Sequence, residues 1–387
     1  MSQALHRPQR AFSAIVLSLV IALAGGVAAD ASAAAPVAQQ AALAPADAGA
    51  YYVFRTRDTG EKPTKDQNSR CDKFFGLRGL TTVTRLNALL FAYESNAATG
   101  RIENQTKSLL GPGFICGVPN VSLSGITVDA YAYSSLPGPG LVEGDGNCAI
   151  APVMVNNLPI VLNCALQIKK DATKGIAGGL ITSNSLVNTI NRSDSAPTGS
   201  VWTANVIGSA TNTGGGSGTI PPDIKPETPG LDFFVTRTRD EVVTTGESEE
   251  CRRAGLAATP LAIRTTNLAV AQPDPNSGRV PDAAGAAVAK MTVCYAYSNK
   301  IGYRAFAIAD LKTALGPFSV RASGDCKNLP TAAGTAYRAQ ACALTVKSGA
   351  AKGGLITSNG LIESGKPASA ASSSIWTFAL FGAPAAA

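Results

Sequence analysis

Two pairs of arginines occupy matching positions in two similar segments of the chain. Arg55 and Arg57 lie two residues apart in the first segment, and Arg237 and Arg239 lie two residues apart in the second. On an extended strand, such alternate side chains share a face and stand about 6.5 to 7 Å apart. Two guanidiniums at that spacing can bind successive carboxylates, sulfates or phosphates. The pattern predicts ligand binding, with an anionic polysaccharide or envelope polymer as the partner.

The same arginine pairs also have a purely structural interpretation. Asp58 and Asp240 follow them directly, and these or other carboxylates can neutralise the guanidinium charges. Charged side chains on an exposed edge strand also protect a sheet from aggregation. The sequence leaves both interpretations open.

Eight cysteines form the second chemical group, four in each half of the chain. In an exported protein such cysteines predict disulfides, and four cysteines allow three pairings. We favour the first with the second and the third with the fourth in each half: Cys71–Cys116, Cys148–Cys164, Cys251–Cys294 and Cys326–Cys342. There is no CxxC spacing and no nearby histidine. A metal site is therefore not expected.

The only histidine is His6, which falls in the predicted signal peptide. Without imidazole, Ser-His-Asp and Cys-His catalysis and most zinc, iron and copper sites are not expected. Nucleotide-binding glycine motifs and a GxSxG elbow are also missing from the sequence. We therefore expect a protein that is not an enzyme and has no cofactor. A glycosidase or lyase stays open as an alternative, because two acids suffice; the candidates are Glu94, Glu103, Asp129, Glu143, Glu247, Glu249, Glu250 and Asp310.

The chain repeats itself at a nearly constant spacing. Cysteines 116, 148 and 164 return 178 residues later, as does the Gly-Arg pair at 100–101. The segment GGLITSN at 178–184 returns at 353–359, and the only two tryptophans, Trp202 and Trp376, also correspond. A register kept over about 150 residues, a typical domain length, predicts a duplicated domain.

The domain boundaries follow from composition. We predict a signal peptide at 1–33, a low-complexity spacer at 34–50, modules at 51–208 and 231–382, a Gly/Pro-rich linker at 209–230 and a tail at 383–387. The signal predicts a secreted or periplasmic protein of bacterial origin. After the signal, no segment is apolar enough to predict a membrane span. The sequence carries no signal for an oligomeric state.

Alternation of apolar and polar residues predicts the fold class. Leu162, Cys164, Leu166 and Ile168 fall on one strand face. Short strands between Gly and Pro predict an all-β fold, a tandem of disulfide-stabilised antiparallel sandwich or barrel-like domains. Residues 81–93 also fit a helix, and the alanines of the second module leave room for one or two short helices. We place the tryptophans in the core and the Thr-Ser-Asn triplets of the repeats in turns.

Charge narrows the possible partners. The net charge of +7 is spread along the chain and falls short of the basic stripe of a nucleic-acid binder. Duplicated modules raise avidity for a repeating ligand. We therefore expect a tandem binding module for an extracellular or envelope ligand, and the arginine pairs favour an anionic glycan. The alternative is a structural or assembly protein of the cell surface, such as a surface-layer or adhesin component.

Overall fold

The structure is a computed structural model. It describes residues 39–40, 49–59, 61–76, 84–122, 125–151, 160–187, 200–208, 231–254, 256, 262–281, 285–297, 303–313, 316–329, 337–351, 353–363 and 372–383. The predicted signal peptide and linker lie outside these residues, as do most of the predicted spacer and tail. Both modules belong to one unit, Ala38–Ala387.

Each module forms a closed antiparallel barrel of eight strands. The first barrel consists of β2 (Ala50–Asp58), β3 (Thr84–Ser95), β4 (Ile102–Ser122), β5 (Gly125–Leu136), β6 (Gly140–Ala151), β7 (Ile160–Ile168), β8 (Gly178–Val187) and β9 (Ser200–Ile207). The second consists of β10 (Leu231–Thr244), β11 (Ala262–Val270), β12 (Ala287–Tyr297), β13 (Tyr303–Thr313), β14 (Gly316–Leu329), β15 (Tyr337–Gly349), β16 (Gly354–Glu363) and β17 (Ser372–Phe381). A short strand, β1 (Gln39–Gln40), pairs with β10.

Consecutive strands pair in chain order, and each barrel closes when its last strand meets its first. β9 pairs with β2, and β17 pairs with β10. This topology confirms the all-β tandem fold and makes it a pair of barrels. Since β2 is hydrogen-bonded on both sides, the interpretation of its arginines as guards of an exposed edge is wrong.

Apolar side chains fill the barrel interiors, as the alternation predicts. Cys164, Leu166 and Ile168 point inward in the first barrel, together with Trp202. Trp376 lies in the corresponding core of the second barrel. The core placement of both tryptophans is confirmed. Residues 84–93 belong to β3, which settles that part of the ambiguous segment in favour of a strand.

All four expected disulfides are formed. Cys148–Cys164 and Cys326–Cys342 join directly opposed residues of neighbouring strands inside the barrels. The other two bonds, Cys71–Cys116 and Cys251–Cys294, attach a helix to each barrel. These helices are α1 (Lys65–Phe75) and the shorter α2 (Glu249–Arg253).

Helix α1 was not predicted, although the sequence carries its signal. Thr64 accepts a hydrogen bond from the backbone of Gln67, and the Gln67 side chain accepts one from the backbone of Thr64. This reciprocal capping box satisfies two amides that a helix start leaves unpaired. Gly76 ends the helix in the left-handed conformation, with φ of 68°. No helix in the described part of the chain is long and apolar enough to cross a membrane.

Candidate functional site at the seam between the barrels

Three of the four predicted ligand-binding arginines are buried. Arg55 has 0% of its surface exposed, Arg57 7% and Arg237 4%. Arg239 differs, with 43% of its side chain exposed and its guanidinium 3.4 Å from Asp240. The structure therefore does not bring the four arginines together as an open, solvent-facing row.

A β-bulge explains why Arg239 and Arg57 differ. The pairing of β10 with β11 shifts by one residue between Thr238 and Asp240, whereas β2 pairs with β3 without a shift over the corresponding residues. The bulge leaves Arg239 outside the paired register. Equal sequence positions therefore do not give equal environments here.

Arg55 and Arg237 each lie over an aromatic ring of the other barrel. The Arg55 guanidinium is 5.8 Å from the ring centre of Phe233, and that of Arg237 is 5.7 Å from the ring centre of Tyr51. Both distances suit a cation–π interaction. Burial, together with the charge of neighbouring Arg57, lowers the pKa of Arg55 to about 9. Arginine nevertheless stays charged at neutral pH.

The two barrels are joined by backbone hydrogen bonds at what we call the seam. The Val53 amide donates to the Gly278 carbonyl at 2.9 Å, and the Val235 amide donates to the Gly100 carbonyl at 3.0 Å. Both glycines have positive φ, 72° at Gly100 and 69° at Gly278. Only glycine adopts this conformation readily, and it lets the turn come close to the other barrel. The repeated Gly-Arg pair thus has a structural role at the seam.

The repeated Thr-Ser-Asn triplets also lie at the seam. Residues 182–184 are inside β8 and 357–359 inside β16, so their assignment to turns is wrong. Asn184 donates its side-chain amide to the Leu355 carbonyl at 3.0 Å. Asn359 donates to the Leu180 carbonyl at 2.9 Å. Each triplet therefore binds the backbone of the opposite barrel.

A cavity of about 310 Å³ opens beside Arg237. Its lining is mostly apolar, with Arg237 and Gln272 as the long polar side chains; the full lining is Ala97, Arg237, Val270, Gln272, Val280, Pro281, Gly285 and Ala286. Ala97 comes from the first barrel and the others from the second. Nη1 of Arg237 donates to the Pro281 carbonyl, which fixes the guanidinium at the cavity wall. An apolar cavity with a few polar groups, placed between two domains, is typical of a small-ligand site.

Glu143, one of the acids considered for glycosidase or lyase chemistry, lies in a cluster of polar side chains beside helix α1. The Tyr131 hydroxyl donates to it, and Arg70 donates to the same oxygen at 2.8 Å. Burial alone would raise the pKa of Glu143, but these two hydrogen bonds and the charges of Arg70 and Lys169 lower it below its usual value. A carboxyl held ionised in this way suits a structural role better than that of a general acid.

A buried ion pair lies inside the second barrel. Nη1 of Arg264 is 3.6 Å from Oε2 of Glu241, and each side chain is only 2% exposed. Thr266 donates to Glu241, and the Arg264 guanidinium is 5.1 Å from the ring centre of Tyr295. Burial raises the pKa of Tyr295 to about 12.

The described residues contain no cluster of three or more metal-binding side chains. No protein-family model, curated protein or solved structure matches the chain.

Proposed function

We propose that the protein is a non-enzymatic extracellular binding protein and that the cavity at Arg237 takes the terminal anionic group of a glycan. Four disulfides support a location outside the reducing cytoplasm. The observation that carries the proposal is a buried guanidinium in the wall of a cavity between two domains.

The charge and the lining of the cavity favour this ligand class. Because Arg237 is only 4% exposed, water screens its charge weakly and its attraction for an anion is strengthened. Val270, Val280 and Pro281 offer an apolar wall suited to the C–H face of a sugar ring. A volume of about 310 Å³ is at the lower end for ligand pockets and suits one terminal acidic sugar rather than a polymer segment.

Binding at this cavity differs from the mode that the spacing of the arginines predicted. The sequence predicted two equivalent arginine rows that would hold a polymer along its length. Burial of Arg55 and Arg57 removes the first row from the surface. The proposed site is a single one, formed where the turn that contains Ala97 meets the second barrel.

Replacing Arg237 with glutamine should weaken binding of a uronic-acid-terminated oligosaccharide about 30-fold or more, because a poorly solvated charge partner is lost. Isothermal titration of the full chain at low and physiological salt measures this. Arg239→Gln is the matched control, since it removes the same charge from the same strand at an exposed position. We expect less than a twofold change there.

A second variant tests the cavity independently, in case Arg237→Gln does not fold. A Cβ added at Gly285 meets no atom within 4 Å, so Gly285→Leu should fold normally and obstruct the cavity. It should abolish binding. Equal losses in Arg237→Gln and Arg239→Gln would indicate diffuse charge attraction and contradict the site. Absence of binding to acidic oligosaccharides at either salt concentration would overturn the proposed function.

A structural role at the cell surface is the second candidate. Both barrels have filled interiors, and backbone hydrogen bonds join them at the seam. Together with four disulfides, this makes a rigid building block suited to a cell-surface assembly. Filaments or lattices of the purified chain in electron micrographs would favour this role over ligand binding.

A further inference from the structure

The seam has the organisation of a symmetric dimer interface. Three kinds of contact across the seam occur in both directions: arginine–aromatic contacts, asparagine–carbonyl hydrogen bonds and glycine-turn hydrogen bonds. The ion pair between Arg101 and Asp232 has no counterpart, because Ala50 occupies the position equivalent to Asp232. An interface in which residue i contacts j and the equivalent of j contacts the equivalent of i is isologous. Such an interface implies a surface that recognises a copy of itself.

One contact marks the position of the two-fold axis. Tyr93 and Ala271 are equivalent positions, 178 residues apart, and the Tyr93 hydroxyl donates to the Ala271 carbonyl at 2.9 Å. Equivalent residues meet each other only close to such an axis. The approximate two-fold axis of the seam therefore passes near Tyr93 and Ala271.

The seam also contains groups that a separated barrel could not satisfy. Asn184 and Asn359 are no more than 1% exposed and donate across the seam, so separation would remove their acceptors. A continuous apolar cluster that includes Val53, Val235 and Val280 would become exposed. An exposed patch of this kind favours association with any surface of matching shape.

We infer that each barrel carries a self-complementary surface whose partner is another copy of that surface, in the same chain or in a second copy of this chain. The linker at 209–230 has 22 residues and can span at most about 75 Å, so it holds the two barrels of one chain at a high mutual concentration. In dilute solution, the two barrels of one chain therefore pair with each other rather than with the barrels of a second chain. Cutting the linker removes this advantage. This inference does not depend on the proposed glycan site.

The test uses the folded full-length chain with a protease recognition sequence in place of residues 213–218. After cleavage, native mass spectrometry separates the possible pairs, because the two halves differ in mass. We expect the halves to remain paired at micromolar concentration. After the cut chains are unfolded and refolded together at high concentration, pairs of two first barrels and of two second barrels should appear beside the mixed pair.

The seam contacts provide the matched variants. Asn184→Ala combined with Asn359→Ala should raise the dissociation constant of the cut halves about a hundredfold, since the buried hydrogen bonds that these two side chains donate across the seam are lost. Asn267→Ala, an exposed asparagine on β11, should change it less than twofold. Separation of the cut wild-type halves into monomers at micromolar concentration would show that the seam is not a stable interface. Mixed pairs alone, even after joint refolding, would show that the surfaces are not self-complementary.

Discussion

Replacing Arg264 with methionine will lower the free energy of unfolding of the second barrel by about 3 to 5 kcal/mol. The substitution leaves the Glu241 carboxylate 2% exposed inside a barrel without the guanidinium that stands 3.6 Å from it. A buried charge that loses its partner keeps its desolvation cost and loses the compensating attraction. Urea denaturation followed by tryptophan fluorescence measures the change. Trp202→Phe serves as the background, because Trp376 then reports on the second barrel alone.

The double variant Arg264→Met with Glu241→Leu should recover most of the free energy of unfolding that Arg264→Met loses. Well-packed apolar residues can replace a buried ion pair at little cost. The residue equivalent to Arg264 in the first barrel is Leu86, which lies opposite Ile115 as Arg264 lies opposite Val293, but Leu86 is 37% exposed.

Arg252→Met is the control for loss of an arginine from an ion pair. Arg252 pairs with Glu249 on the surface, and we expect a change below about 1 kcal/mol. An Arg264→Met variant as stable as the parent would show that the buried pair contributes nothing. A double variant no more stable than Arg264→Met would show that the guanidinium is needed for packing rather than for charge.

Removing the disulfide inside either barrel will destabilise that barrel by about 3 kcal/mol or more. Cys148–Cys164 and Cys326–Cys342 each span 16 residues, so the chain-entropy effect on the unfolded state should be the same in both. All four cysteines are at most 1% exposed, and double alanine variants also leave space in the cores. We therefore expect similar losses from the two double variants.

Chemical denaturation of each double variant, read from the tryptophan of the same barrel, tests this expectation. The undisturbed barrel of the same chain is the internal control. A loss below about 1 kcal/mol in either barrel would contradict a stabilising role for its bond. Losses that differ by more than about 2 kcal/mol would show that packing around the sulfurs outweighs the common loop length.

The sequence predicted those features that depend on local spacing. The 178-residue repeat revealed two modules, and alternation in 160–168 placed Cys164 on the inner face, as observed. The four favoured disulfide pairings are confirmed, and the 16-residue separation of the third and fourth cysteines recurs in both halves. Helix α1 was predictable from Thr64 and Gln67, but was missed because its residues have no apolar stripe typical of a buried helix.

The location of the arginines was decided by tertiary structure alone. Alternation correctly separates Arg55 and Arg237 from the barrel interiors, but it cannot say whether an outer face meets water or another protein surface. Closure of each barrel and packing of one against the other bury both guanidiniums at the seam, while a one-residue bulge exposes Arg239. Strand period is a local property of the chain. Contact between two outer faces depends on residues about 180 positions apart, and no local pattern encodes it.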